Sequence, residues 1–201
     1  MGTASIIATL NAPPTLVAAG LLHAAYSHGR FSDSRKGITK SKRKKVRLAV
    51  GPDIEEFVAQ YTALRWNVEN ILAIREHIDA LSTKEREVLL MRIANELEDH
   101  LDLGMLYCGK DKSAKLDASV SAIIEIAEKV GGADLANKLA LVFSEANSEK
   151  IPAILRRSEI SSFVLSYTSP FRGYHRFSRA AYYVIDVSQA TVAKVTNVFK
   201  L

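Results

Sequence analysis

Apolar residues recur at helical spacing along most of the chain, and almost nowhere alternate as a half-buried strand would. Residues 3–10 read as a short helix closed by Asn11-Ala12-Pro13-Pro14. Pro14 then suits the first turn of a second helix running to about Tyr26, where its missing N–H costs nothing. The eleven residues from Thr15 to Ala25 contain only two polar side chains, Thr15 and His23. This predicts a central helix buried around its whole circumference. Lys42–Val50 reads as a short helix stopped by Gly51. Pro52 opens the next, with Asp53, Glu55 and Glu56 near its positive end, and Ile54, Phe57, Val58, Tyr61, Leu64 and, at its end, Trp66 on its apolar face.

Further helices are predicted over about Val68–Ala80, from Ser82 or Thr83 to about Tyr107, over 117–130 and over 133–147. Ser82 or Thr83 followed by Glu85 or Glu87 has the form of a capping box. Gly131-Gly132 punctuates the last pair. After Ile160 the character changes. SSFVLSYTSPFRGYHRF is rich in Ser, Tyr, Phe and Arg, and the final β-branched segment fits either helix or strand. The expected fold class is all-α: a helical bundle over residues 1–155, with a C-terminal extension over 156–201 packing on it.

Composition adds three constraints. Of the 201 residues 48% are hydrophobic, enough for a buried core. The lone cysteine, Cys108, excludes an internal disulfide framework and fits a reducing cytoplasm. No apolar run approaches the ~20 residues of a membrane span, and no basic region precedes the first apolar stretch as in a secretory signal.

The net charge of +5 hides an asymmetry. Residues 35–47, RKGITKSKRKKVR, hold eight basic residues and no acidic one, while the other nineteen basic residues stand against twenty-two acidic ones. This run reads as a solvated, mobile loop, or as a segment that orders on a phosphate-bearing anion and closes over the His23 region.

LVAAGLLHAAYSHG resembles the AALLHD segment of HD-superfamily metal-dependent phosphohydrolases, with Ala24 in place of the metal-binding aspartate. VGPDIEEFVAQYTALRW and LLMRIANELEDHLDL resemble, in the same order, two later segments of RelA/SpoT-type alarmone hydrolase domains. The three blocks span about residues 4–107. A second resemblance is to an uncharacterised HD-related family carrying AGLFHxxYGT, which Tyr26, His28 and Gly29 partly match. The resemblance implies an HD-like helical bundle with a broken metal motif. The family's distant aspartate falls on Asn95, and its first histidine would lie upstream of Gly2-Thr3. Alanine offers a cation no lone pair and asparagine only a neutral carbonyl.

Two functional readings follow. In the first, a non-catalytic domain binds a small anionic or phosphorylated molecule in a cavity around His23. Tyr26, His28, Arg65, Arg92, Asn95, Lys42 and Arg43 are its ligand-binding candidates, because arginine and lysine at such places in the resembling hydrolases contact phosphate. In the second, an atypical HD-like hydrolase uses His23 with Glu96 and His100, two residues that i,i+4 spacing puts on one helix face. Asp99 is a neighbouring acidic group. The same residues also suit a solvated charged face and a satisfied core histidine. No metal is assigned, and a divalent ion is disfavoured as cofactor. The tail SPFRGYHRFSR interleaves arginines and aromatics, but no recognised nucleic-acid motif accompanies it, so a nucleic-acid partner is disfavoured. A membrane partner is not expected, and a homo-oligomer stays open. Walker A, GxGxxG and GxSxG patterns are absent, and Cys108, with only Lys110 near it in sequence, reads as inert.

Overall fold

A computed structural model describes residues 2–29, 31, 37–101 and 119–148, and these are helical with no strand among them. The helices are α1 (Thr3–Thr9), α2 (Pro14–Leu21), α3 (Ala25–His28), α4 (Lys40–Val50), α5 (Pro52–Ala63), α6 (Val68–His77), α7 (Thr83–Leu101), α8 (Val120–Gly131) and α9 (Ala133–Ser148). A 3-10 turn, Ile78–Ala80, extends α6. The all-α expectation holds for these residues. The expected C-terminal extension, the aromatic–arginine tail, Cys108 and the end of the α7 helix near Tyr107 lie outside the described residues.

Local chemistry sets the helix ends. Pro14 and Pro52 occupy first turns. Thr39 and Asn67 cap α4 and α6, accepting from the backbone N–H of Lys42 and Asn70. Ser82 and Glu85 form the predicted capping box: the Ser82 N–H donates to Glu85 Oε2 at 2.8 Å, and the Glu85 N–H to Ser82 Oγ at 3.4 Å. Gly51, at φ +87°, makes the left-handed turn between α4 and α5 that a side chain would strain. The N-terminus of α1 is satisfied from outside the helix, by Glu98 of α7, which accepts from the Thr3 N–H at 2.6 Å and from its hydroxyl. A carboxylate there also suits the positive end of the helix dipole.

The centre of the domain is α7. It packs against α1, α2, α5, α8 and α9, and buries Val88 to Met91, Ile93, Ala94 and Leu97. Each such large aliphatic side chain contributes about 1.5–3 kcal/mol on burial. The expectation of a central, fully buried helix through His23 is therefore corrected twice. α2 stops at Leu21, which is 57% exposed, and the chain passes through a turn at residues 22–24 before α3. Backbone bonds from Leu22 to Ala19 and from Ala25 to Leu22 tighten that turn. The His23 ring takes the Gly20 carbonyl at 2.8 Å, a local side-chain bond that competes with helix continuation. Gly20 also lets α1 close on α2: a Cβ there would stand 2.8 Å from Ile7 Cδ1 and 3.3 Å from Ala4 Cα.

The basic run is corrected as well. The helix expected over Lys42–Val50 is present and begins two residues earlier, at Lys40, so only the reading of residues 40–47 as loop is overturned. Lys42, Val46 and Val50 form its buried stripe, and α4 packs on α5.

Candidate functional site

Two polar clusters interrupt the core, and the residues singled out in the sequence divide between them. The first lies where α5 meets α7. Tyr61 of α5 donates its hydroxyl proton to Asn95 Oδ1 of α7 at 2.6 Å. Arg92, one turn before Asn95, donates from Nη1 to the Tyr61 hydroxyl at 3.1 Å and to Asn95 Oδ1 at 2.7 Å, and from Nη2 to Glu96 Oε2 at 2.5 Å. The guanidinium lies 5.2 Å from the ring centre of Trp66, a cation–π arrangement. His23 touches this tier through Tyr61, ring edge to ring face at 5.4 Å. Because the Gly20 carbonyl can only accept, Nδ1 of His23 carries a proton.

Two donors in this tier are buried without an acceptor among the described residues, Nε of Arg92 and Nε1 of Trp66. Such groups are rare in native proteins. The electrostatics are perturbed too. Burial works against the charge of Arg92, yet Glu96 and Tyr61 beside it more than offset this and hold it firmly protonated. Burial pushes the Tyr61 phenol up, against the pull of Arg92. Burial, then the Glu96 charge, raises the Asp99 carboxyl to about 6, with Arg92 and His100 pulling the other way.

The second cluster joins α3, α4 and α5. Glu55 of α5 is completely buried. Its carboxylate accepts from the Tyr26 hydroxyl at 2.5 Å, from Arg43 Nε at 2.7 Å and Nη2 at 2.9 Å, and from Arg47 Nε at 2.6 Å. Glu56 accepts from the same two arginines at 2.6 and 3.3 Å, and from Gln60 at 3.1 Å. Burial alone would raise Glu55, but the bonds from Arg43, Tyr26 and Arg47 prevail and hold it at about 2. Burial and the Glu55 carboxylate together push the Tyr26 phenol up.

The model of a family described as Domain of unknown function (DUF6817) matches residues 1–65. No curated protein and no solved structure matches the chain. The matched span takes in the whole Glu55 cluster with His23 and Tyr61, and ends just before Trp66.

Of the ligand-binding residues expected from the sequence, Arg92 and Asn95 share a tier that His23 reaches through Tyr61. Arg65 is exposed just beyond α5. Four others go elsewhere. Tyr26 is buried and committed to Glu55, and Arg43 to Glu55 and Glu56. Lys42 is only 4% exposed and donates to the Gly37 carbonyl at 3.0 Å, with its ammonium 5.1 Å from the Phe31 ring. His28 is exposed and contacts Ser27 Oγ at 2.9 Å. In the hydrolase set Glu96 and His100 stay together, with His100 Nδ1 3.9 Å from Glu96 Oε1, while His23 contacts Tyr61. Glu96 is held by Arg92, and His100 donates from Nδ1 to the Glu96 backbone carbonyl at 2.8 Å and packs edge-on against Phe143 of α9. Among the described residues no three His, Cys, Asp or Glu side chains stand together as a metal group.

Sequence reasoning missed Glu55 as a buried acceptor, because a glutamate in a helix's first turn looks like an exposed dipole partner. It placed Tyr61 on the apolar face without its hydroxyl's role. Tyr61 precedes Arg65 and Trp66 by about one turn, the one signal that linked them.

Proposed function

We propose that this chain is a non-catalytic helical ligand-binding domain, of HD-like descent with a broken metal motif. It takes a small anionic or phosphorylated molecule at the tier of Arg92, Tyr61 and Asn95 beside His23. The observation that carries this reading is the pair of unsatisfied donors, Arg92 Nε and Trp66 Nε1, within one cation–π contact. A buried donor without an acceptor costs about 1–3 kcal/mol, and an anion or its phosphate oxygens supplies acceptors to both. Arg92 brings a permanent charge, and Arg65 stands exposed one residue before Trp66. The single cysteine fits a cytoplasmic setting. No described helix is long and apolar enough to cross a membrane.

A second reading has its own observation. The Asp99 carboxyl, raised to about 6, is tuned toward general-base work near neutral pH. It supports an atypical HD-like hydrolase that uses His23 with Glu96 and His100, with Asp99 beside them as an added proton acceptor.

Titration calorimetry with inorganic phosphate and pyrophosphate tests the first reading. Binding that falls at least tenfold in Arg92→Met, with the helical circular dichroism unchanged, supports it. Absence of binding at millimolar concentration, or equal binding by Arg92→Met, sinks it. Release of phosphate from pyrophosphate, lost in Asp99→Asn, replaces it with the second.

A further inference from the structure

The outward face of α4 is a separate feature. Lys40, Arg43, Lys44, Arg47 and Leu48 follow one another at i, i+3, i+4, i+7 and i+8, and line an open groove of about 380 Å³. No acidic residue lies within α4. Arg43 and Arg47 are anchored from behind by Glu55 and Glu56. Lys40 and Lys44 are exposed, with no hydrogen bond or ion pair among the described residues. Exposed helix faces are ordinarily mixed in sign or rich in i,i+4 pairs. This one keeps Lys40 and Lys44 unpaired among the described residues, on a helix whose position is fixed by a buried carboxylate.

From this arrangement we infer that the α4 groove docks the phosphate backbone of a nucleic acid. Three features choose that occupant. The cations rise along the axis by about 6 Å from Lys40 to Lys44 and about 4.5 Å from Lys44 to Arg47, a ladder that suits a chain of repeating charges better than a single ion. The arginine forks that would grip one phosphate bidentately are already taken by Glu55 and Glu56. The free donors are ammonium heads, which bind phosphates as point charges without sequence preference. The only large apolar side chain on the face is Leu48, 67% exposed, while Val46 and Val50 point into the core. A lipid surface would therefore find no apolar stripe to insert. Backbone docking of this kind needs no sequence-reading motif.

The test uses the whole chain and a fluorescein-labelled DNA duplex of about 20 base pairs, followed by anisotropy across a salt series. Binding is expected at low salt, insensitive to base sequence and undisturbed by millimolar inorganic phosphate. Lys40→Glu with Lys44→Glu should weaken it at least tenfold and reduce the log–log salt slope by about 2, one per lost phosphate contact. Lys40→Gln with Lys44→Gln should weaken it less, without adding repulsion. Lys84→Glu with Lys138→Glu changes net charge equally on other helices and should bind within about threefold of the parent. Absence of binding at low salt overturns the inference, as does an equal loss in both charge-reversed proteins. Tighter association with phosphatidylserine vesicles than with the duplex also overturns it, and assigns the face to membranes. Arg92→Met should leave duplex binding unchanged, so this outcome is independent of the small-ligand reading.

Discussion

The Glu55 carboxylate and the Arg92 guanidinium are both drawn inside the helical domain, and their surroundings are built differently. Around Glu55 the donors of Tyr26, Arg43 and Arg47 converge until the carboxylate is saturated. Around Arg92 the terminal nitrogens are occupied, but Nε and the neighbouring Trp66 Nε1 are not. A fully satisfied buried network rigidifies and specifies a fold, whereas a partly satisfied one carries a cost that function can explain. The Glu55 cluster joins α3, α4 and α5 near the exposed basic face, so its work is positional. The Arg92 tier lies between α5 and α7 beside His23, and its incompleteness is the feature on which the proposed ligand site rests.

The largest expected break in that comparison comes from Glu55→Ala. It leaves the Tyr26 hydroxyl and two guanidinium groups facing a void and removes the tie between α4 and α5. The expected loss is about 3 kcal/mol, the lower end for a broken buried pair, because Arg43 and Arg47 are partly exposed and can turn to water. Urea unfolding followed by circular dichroism measures it. A loss below about 1 kcal/mol would mean that packing alone positions α4.

A matched pair of hydroxyl deletions sharpens the contrast. Tyr26→Phe removes a 2.5 Å bond to a buried carboxylate and should cost about 2 kcal/mol, the range for bonds to charged groups. Tyr61→Phe removes a bond to neutral Asn95 and the longer 3.1 Å bond from Arg92 Nη1, which still donates to Asn95 Oδ1 at 2.7 Å, and should cost about 1 kcal/mol. Equal losses in the two proteins would show that the Arg92 tier is as structural as the Glu55 cluster, and would weaken its assignment as a ligand site.

Much of this architecture was legible because it is written locally. Pro14 and Pro52 at first turns, the Ser82–Glu85 box and Gly51 at a positive φ need only neighbours in sequence to declare themselves. What was not legible depends on partners far apart in the chain. Glu55 looks like any first-turn glutamate until α3 brings Tyr26, twenty-nine residues away, to its carboxylate. The apolar run through His23 reads as one buried helix, yet a single ring-to-carbonyl bond accompanies its break. The resemblance grouped His23 with Asn95 and Glu96, and the contact through Tyr61 joins His23 to Asn95 indirectly. It could not show that His100 turns to Phe143 of α9, because residues so far apart leave no periodic trace.

The smallest predicted effect separates the two regions by pH. Glu55 is held at about 2 in the folded chain against an ordinary 4.5. Its stabilising contribution is complete above about 4.5 and disappears as pH falls through 2. Asp99 has the opposite sign. Its carboxyl titrates near 6 when folded and at 3.8 in its ordinary state, so between those values the folded chain binds more protons and stability falls as pH rises. Above 6 the full penalty of a charged Asp99 near Glu96 and Glu98 is present, partly relieved by Arg92 and His100. Together the two groups place a stability maximum between about pH 4 and 5. Asp99→Asn should remove the decline on the alkaline side, raising stability at pH 7 by something on the order of 1 kcal/mol given its partial exposure. The acid limb set by Glu55 should be unchanged. Urea midpoints measured from pH 3 to 8 decide it: a decline between pH 4 and 6 that survives in Asp99→Asn assigns that slope to another group and removes Asp99 from the proton-transfer reading.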